Sequence, residues 1–269
     1  MKSQRVVFTD LDGTLLDYET QAYEAALPAL GELRRRNVPV IFCSSKTRAE
    51  VEMWRAELGN SHPFIVENGA AVFVPDGCFA FTLEGAVQRG EYEAIEFGAS
   101  HAELVEALRA ASRETSVRVR ALDELTAEEV SQRYGVPLRL AILAKQREYD
   151  EAFEILDADQ TGVLLGAIER CGNRWIRSDR FYHIAGKNDK ATAVSYLSGL
   201  YRRVHGAIST VGLGDALNDA EFLNSVDLPI LVRSHFAREL QARVPRGRLT
   251  EHPGPQGWNQ AILEILFPR

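Results

Sequence analysis

Val6-Val7-Phe8-Thr9-Asp10-Leu11-Asp12-Gly13-Thr14-Leu15 lies near the start of the chain, and the reading of the whole fold turns on it. The run Val6 to Thr9 has the β-branched and aromatic content of a buried strand. Side chains alternate along a strand, so Asp10 and Asp12 at its end can point the same way. Gly13 then lets the backbone turn off the sheet through a conformation closed to residues with a Cβ. Two carboxylates about 4 Å apart repel by roughly 4 kcal/mol at an effective dielectric near 20. A divalent cation would turn that repulsion into a binding site, and hard oxygen ligands favour Mg²⁺. The competing reading is a plain polar turn after a strand, so the rest of the chain has to decide.

The bulk numbers set broad limits. The chain has 269 residues, 45% hydrophobic and 26% charged, the balance of an ordinary globular protein with room for one large domain or a core plus a smaller unit. Its formal charge of −7 argues against nucleic-acid binding, which draws its affinity from neutralised phosphates. No apolar stretch approaches a membrane span, and the three apolar residues after Arg5 are too few for a signal peptide. Cys43, Cys78 and Cys171 are odd in number and widely spaced, which predicts reduced thiols in a cytoplasmic protein and no zinc site.

Downstream, Ala22 to Arg36 reads as a helix that becomes regular at Pro28 and closes at Asn37. Val38 to Cys43 is a second buried strand, and Thr47-Arg48-Ala49-Glu50 after it has the form of a capping box. Ser44 is then the first hydroxyl beyond the strand, where an open α/β sheet binds ligands, although taken alone it reads more simply as a turn serine. Phe64 to Val66 and Ala71 to Val74 form a hairpin around Glu67-Asn68-Gly69-Ala70, with Asn68 serving the turn. Apolar density falls from Thr82 to Gly90, which suggests a domain boundary.

The stretch 85–183 predicts a separate α+β unit, a small sheet with helices on one face. Strands are expected at 94–97, 117–119, 137–143 and from 163 to 184, and helices at 102–111, 127–134 and 149–156. Arg170, Arg174, Arg177 and Arg180 alternate with aromatic residues at its end, a pattern suited equally to a small anionic ligand and to a solvated strand. Lys190 then opens a helix where the dipole disfavours a cation, so a nearby anion or carboxylate is expected, with Lys187 the rival. Ile208 to Leu213 is another buried strand, and it delivers Asp215, Asn218 and Asp219 to one turn. A strand at 226–232 and a helix at 256–267 complete the chain.

Acids after the first strand, a hydroxyl after the second, an inserted unit, a lysine, then acids after a later strand: this order resembles the haloacid dehalogenase-like phosphatase superfamily. The likeness runs from Asp10 to Asp219. Ser44-Ser45-Lys46-Thr47, Glu67-Asn68-Gly69-Ala70 and Arg180-Phe181-Tyr182-His183 further resemble the mannosyl-3-phosphoglycerate phosphatases, although Ser178-Asp179 stands where that family usually has a glycine-rich pair. The resemblance implies a Rossmann-like, doubly wound, mostly parallel α/β core from residues 1–84 and 184–269, with an α+β cap inserted at 85–183.

It also implies the chemistry. Asp10 would attack phosphorus to give an aspartyl-phosphate, and Asp12 would protonate the leaving oxygen and then activate water. A carboxylate meeting a phosphate dianion at about 4 Å faces roughly 8 kcal/mol of repulsion. Mg²⁺ on Asp10, the Asp12 carbonyl and Asp215 would offset most of it, with Ser44 and Lys190 on the phosphoryl oxygens. Asn218 and Asp219 are supporting residues, and Arg177 and Arg180 would read the substrate from the cap. The expected substrate is mannosyl-3-phosphoglycerate or its glucosyl analogue, a phosphorylated glycoside. The expected state is a monomer or homodimer without nucleic-acid or membrane partners. The alternatives are a broader sugar phosphatase, a phosphomannomutase, or a non-enzymatic phospho-receiver; a receiver needs no acid for a leaving group.

Overall fold

A computed structural model describes residues 4–178 and 181–266. The chain runs β1 (Gln4–Thr9), α1 (Leu27–Arg35), β2 (Val40–Cys43), α2 (Arg48–Glu57), β3 (Phe64–Val66), β4 (Ala71–Pro75), β5 (Val87–Arg89) and β6 (Tyr92–Glu96). It continues through α3 (His101–Thr115), β7 (Val119–Ala121), α4 (Ala127–Tyr134), α5 (Leu138–Ala144), β8 (Asp150–Ile155), α6 (Thr161–Arg170), β9 (Arg174–Arg177) and β10 (Tyr182–Ala185). The last part is α7 (Lys190–His205), β11 (Ile208–Gly214), α8 (Ala220–Ser225), β12 (Leu228–Arg233), α9 (Ala237–Arg243), β13 (Arg248–Pro253) and α10 (Gly254–Leu266).

Among the described residues these strands make two sheets. The larger has the order β13-β12-β11-β1-β2-β3-β4-β6-β5. Its strands are parallel from β13 to β3 and antiparallel from β3 to β5. Strand alternation explains why it is covered on both faces. Val7, Phe42 and Phe64 pack with Leu33, Trp54 and Trp258 of α1, α2 and α10. Val6, Phe8 and Ile41 face the other way, against Val194, Leu197 and Phe222 of α7 and α8. The chain winds outward from β1 in both directions, so the crevice at the carboxyl ends of β1 and β11 is the topological switch point.

The smaller sheet, β7-β8-β10-β9, is antiparallel throughout. Phe153 and Ile184 pack under α3 and α6. Ala152 turns to the opposite face and packs with Val130 and Ala141 of α4 and α5. Helices therefore meet this sheet on both faces rather than on one.

Several elements differ from expectation. Residues 137–143, expected as a strand, are helix α5: Leu and Ala are strong helix formers, and Pro137 suits a helix start. Residues 149–156, expected as a helix, are strand β8, because the segment is walled in between β7 and β10 and tertiary pairing overrides its Glu and Ala content. Residues 163–168, also expected as a strand, belong to α6, which buries Leu164, Leu165, Ala167 and Ile168. Strand β13 and helix α9 stand where the sequence pattern predicts no element.

The division at 84/85 also moves. Residues 87–89 and 92–96 hydrogen-bond into the larger sheet. The fall in apolar density there marks an exposed edge strand rather than a linker.

Helix α10 is fastened to the strand that carries Asp10. The fully buried Trp258 donates its indole N–H to Thr9 Oγ1 at 2.9 Å, and that hydroxyl donates to the Asp10 carbonyl at 2.8 Å. Trp258→Ala is expected to lower the unfolding free energy by about 3–5 kcal/mol. Urea unfolding would read this, and a loss within error of zero would contradict the packing.

Candidate active site

The site is built where β1 and β11 end side by side. Asp10 N–H donates to the Leu213 carbonyl at 2.9 Å, which fixes the end of β1 against β11. Asp10, Asp215 and Asp219 each offer a carboxylate oxygen within 4.8 Å of the others, and all three are buried. Lys190 Nζ lies 2.9 Å from Asp10 Oδ1 and 2.7 Å from Asp219 Oδ1. The second Asp219 oxygen accepts the backbone N–H groups of Asp215 and Ala216, both at 3.0 Å. Thr14 Oγ1 donates to Asp215 Oδ1 at 2.7 Å.

Two glycines make this approach possible. Gly13 has φ +72°, and a Cβ there would collide with the Asp215 carboxylate. Gly69 has φ +85°, and its Cβ would collide with the backbone of Asp189 and Lys190. The hairpin turn is thus pressed against the start of α7, where Asp189 caps the helix by accepting Thr192 N–H at 2.6 Å. Lys190 is consequently aimed inward and buried, whereas Lys187 is exposed.

The electrostatics follow from this crowding. Three carboxylates and one ammonium leave a charge of −2 when all are ionised. Burial, reinforced by Asp219 and opposed by Lys190, pushes Asp10 up to about 7. Burial, with Asp219 and Asp10 adding to it, holds Asp215 well above the usual carboxylate range. Burial works against the Lys190 charge, but Asp10 and Asp219 outweigh it and keep its ammonium above the ordinary lysine range. A cluster of buried, hard, anionic oxygens with surplus negative charge suits a divalent cation.

The other expected residues fall around this cluster. The Asp12 side chain does not join the acid trio: its Oδ2 is 2.8 Å from Lys46 Nζ and its Oδ1 accepts Gln21 Nε2 at 3.0 Å. Any part it takes in holding a metal would therefore come from its carbonyl. Ser44 is buried at the end of β2, where its N–H donates to the Ile65 carbonyl and its hydroxyl accepts Lys46 N–H at 3.3 Å. Thr47 does form the capping box with Glu50, and its hydroxyl also donates to the Leu143 carbonyl of the smaller unit at 2.9 Å. Asn218 donates to Asn68 Oδ1 at 3.1 Å instead of joining the acids.

Arg177 is exposed, its guanidinium 5.7 Å from the centre of the Tyr182 ring. It lines a cavity of about 580 Å³ together with Asn68, Arg174, Trp175, Lys190 and Asn218. Arg180 lies outside the described residues.

Four residues have partners here that the sequence does not reveal. Asn68 does turn the hairpin, at φ +58°, but its buried amide also donates to Asp150 Oδ2 at 3.3 Å. Arg174 reaches from β9 to the Asn188 carbonyl, Asp189 and Glu221. Lys46 and Gln21 reach Asp12 only through the fold. The lysine within Ser44-Ser45-Lys46-Thr47 was a visible signal, whereas Gln21 gave none.

The sequence profile of the haloacid dehalogenase-like hydrolases matches residues 7–81. The chain is 40% identical over 265 residues to the glucosyl-3-phosphoglycerate/mannosyl-3-phosphoglycerate phosphatase of Methanococcoides burtonii, covering 98% of this chain and 97% of that protein. It is 36% identical over 229 residues to the mannosyl-3-phosphoglycerate phosphatase of Pyrococcus furiosus, covering 85% and 90%. In fold it is similar to the sucrose-phosphatase of Synechocystis, solved with sucrose and phosphate, at a TM-score of 0.61 and 16% identity over 100% of both chains.

The raised carboxylates have a thermodynamic consequence. Between the ordinary Asp range and about pH 7 the native, metal-free chain binds more protons at Asp10 and Asp215 than the unfolded chain does. Stability should therefore fall as pH rises through that window. Melting temperatures from pH 5 to 8 in chelator are expected to show this fall, and Asp10→Asn should lessen it. A divalent cation should raise the melting temperature more at pH 8 than at pH 5. An equal or larger rise at pH 5 would contradict the assignment.

Proposed function

The chain belongs to the haloacid dehalogenase-like hydrolases, among the glycosyl-3-phosphoglycerate phosphatases, and from that premise we propose that it hydrolyses mannosyl- or glucosyl-3-phosphoglycerate to phosphate and the glycosylglycerate. The observation that carries this reading is the buried trio Asp10, Asp215 and Asp219 at the switch point of the sheet, with Asp10 and Asp219 gripping Lys190. The substrate class is supported by the names of relatives that match nearly the full length of the chain.

The donor set fits Mg²⁺, and Asp10, Asp215 and the Asp12 carbonyl would hold it. When bound, Mg²⁺ supplies positive charge where a carboxylate must approach a phosphate. An Asp10 oxygen attacks phosphorus, the bond from phosphorus to the glycerate oxygen breaks, and the carboxyl proton of Asp12 passes to that oxygen. Water then attacks the aspartyl-phosphate, its proton passes to Asp12, and the bond from Asp10 to phosphorus breaks.

Lys190 and the Ser44 hydroxyl hold phosphoryl oxygens as charge shifts onto them. Asp219 binds both Lys190 and the backbone beneath Asp215, so it acts by orienting them. The four-stranded unit serves as a cap. Its β9 strand puts Arg177 in the cavity that Lys190 also lines, where a guanidinium suits the glycerate carboxylate. Arg180 is assigned the same task on the resemblance alone.

The test is phosphate release from glucosyl- and mannosyl-3-phosphoglycerate and from hexose phosphates with Mg²⁺, beside an assay for sugar-phosphate isomerisation. Preferential release from the phosphoglycerates is expected, with loss of turnover in EDTA. Isomerised sugar phosphate without release would overturn the hydrolase reading in favour of a mutase. Asp10→Asn should lower kcat by at least about 1,000-fold with an unchanged circular dichroism spectrum. Near-normal phosphate release from that variant would remove Asp10 from the nucleophile's role.

A further inference from the structure

We propose that Lys46 is a positioning residue which, together with Gln21, clamps the Asp12 carboxylate toward the leaving-group oxygen. The inference rests on the reading of Asp12 as the group that hands its proton to that oxygen.

Asp12 stands apart from the acid trio, and each of its oxygens has one partner among the described residues. Lys46 Nζ holds Oδ2 at 2.8 Å and Gln21 Nε2 holds Oδ1 at 3.0 Å. A lone carboxylate at a strand end rotates about its χ2 torsion, whose preference is broad. Contacts on both oxygens remove that freedom, and proton transfer depends on such placement.

Both partners are themselves held. Lys46 lies in the four-residue loop between β2 and α2, and its ammonium is also 3.5 Å from Glu50 Oε1. The other Glu50 oxygen accepts Thr47 N–H at 3.0 Å in the capping box. One glutamate thus starts the helix with one oxygen and steadies Lys46 with the other. The cap unit presses on the same loop, through Leu143 on Thr47 and through Arg147 Nη1 on the Ser45 carbonyl at 3.4 Å.

Gln21 is set by its turn. Its backbone is left-handed at φ +59°, its N–H donates to the Asp17 carbonyl at 2.9 Å, and Asp17 Oδ1 gathers Glu19 N–H and Thr20. Its Oε1 is enclosed and has no hydrogen-bond partner among the described residues, so an acceptor is left over beside Asp12. A hydroxyl of the leaving group or a bound water is the donor that chemistry calls for.

Charge separates positioning from substrate binding. The Lys46 ammonium already faces two carboxylates, Asp12 and Glu50, and so has no surplus charge for an anionic substrate.

The experiment compares an alkyl phosphate, which needs its leaving oxygen protonated, with 4-nitrophenyl phosphate, which does not. For Lys46→Met the rate read is leaving-group release in a single turnover, which precedes the water step that Asp12 also serves; on the glycosyl phosphoglycerate it is expected to fall about 100-fold while KM stays within about threefold. On 4-nitrophenyl phosphate the fall should be under about fivefold, and Lys46→Arg should restore part of the alkyl-phosphate rate. Gln21→Ala leaves Lys46 in place and should show the same leaving-group pattern at about tenfold, which serves if Lys46→Met does not fold. Equal losses on both substrates would overturn the clamp, as would a rise in KM with the release rate unchanged. If the wild-type chain hydrolyses simple alkyl phosphates but no glycosyl phosphoglycerate, the substrate reading fails, and the clamp is judged on the alkyl phosphates.

Discussion

One buried ammonium shared by two buried carboxylates holds the centre of this protein together. Lys190 lies between Asp10 and Asp219, residues separated from it by 180 and 29 positions in the chain. A lysine in the first turn of a helix opposes the helix dipole, and a buried one opposes its own desolvation. Both penalties are met by the acids it faces, and the acids in turn lose part of their mutual repulsion. Removing either side would leave the other buried and unpaired, which costs more than the pair contributes. The neighbouring backbone is shaped to this contact: Gly69 lets the hairpin turn touch the start of α7, and Gly13 lets the β1 turn touch Asp215.

The same turn joins the two sheets. Glu67 accepts three consecutive backbone N–H groups, from Glu148, Tyr149 and Asp150, at 2.8–2.9 Å where strand β8 begins. Asn68 beside it reaches Asp150 in one direction and Asn218 in the other. Burial alone would raise Asp150, but Arg147 and His183 outweigh it and hold the carboxyl well below its usual range. The junction is therefore largely polar, while the main apolar clusters of the smaller sheet stay separate from those of the larger. Polar junctions of this kind are typical between domains that move relative to one another. The cap contacts on Thr47 and Ser45 place the loop bearing Lys46 within reach of such movement.

The elements that sequence reasoning located well are those whose signal is local. Strand β1, the capping box at Thr47, the left-handed Asn37 and the helix opening at Lys190 each follow from a few adjacent residues. The elements it misread lie in the smaller unit, where short apolar runs carry no length to separate strand from helix. Residues 137–143 and 163–168 read as strands and are helical, and residues 149–156 read as a helix and pair as a strand. In β8 the deciding term is the hydrogen bonding of β7 and β10 on either side, which no local window contains.

The sequence by itself determined that acids, a hydroxyl and a lysine follow successive strands of an α/β sheet, because strand alternation and turn chemistry are written in neighbouring residues. It also determined the family, because the two acid motifs keep their spacing in the chain. Only the tertiary structure decided that Asp12 turns to Lys46 and Gln21, while Asp10, Asp215 and Asp219 converge. Only it decided that Asn68, read as a turn residue, also bridges the two sheets. The physical reason is that charge pairing and polar satisfaction act through space: a partner 34 or 180 residues away costs nothing extra once the sheet has brought the strand ends together.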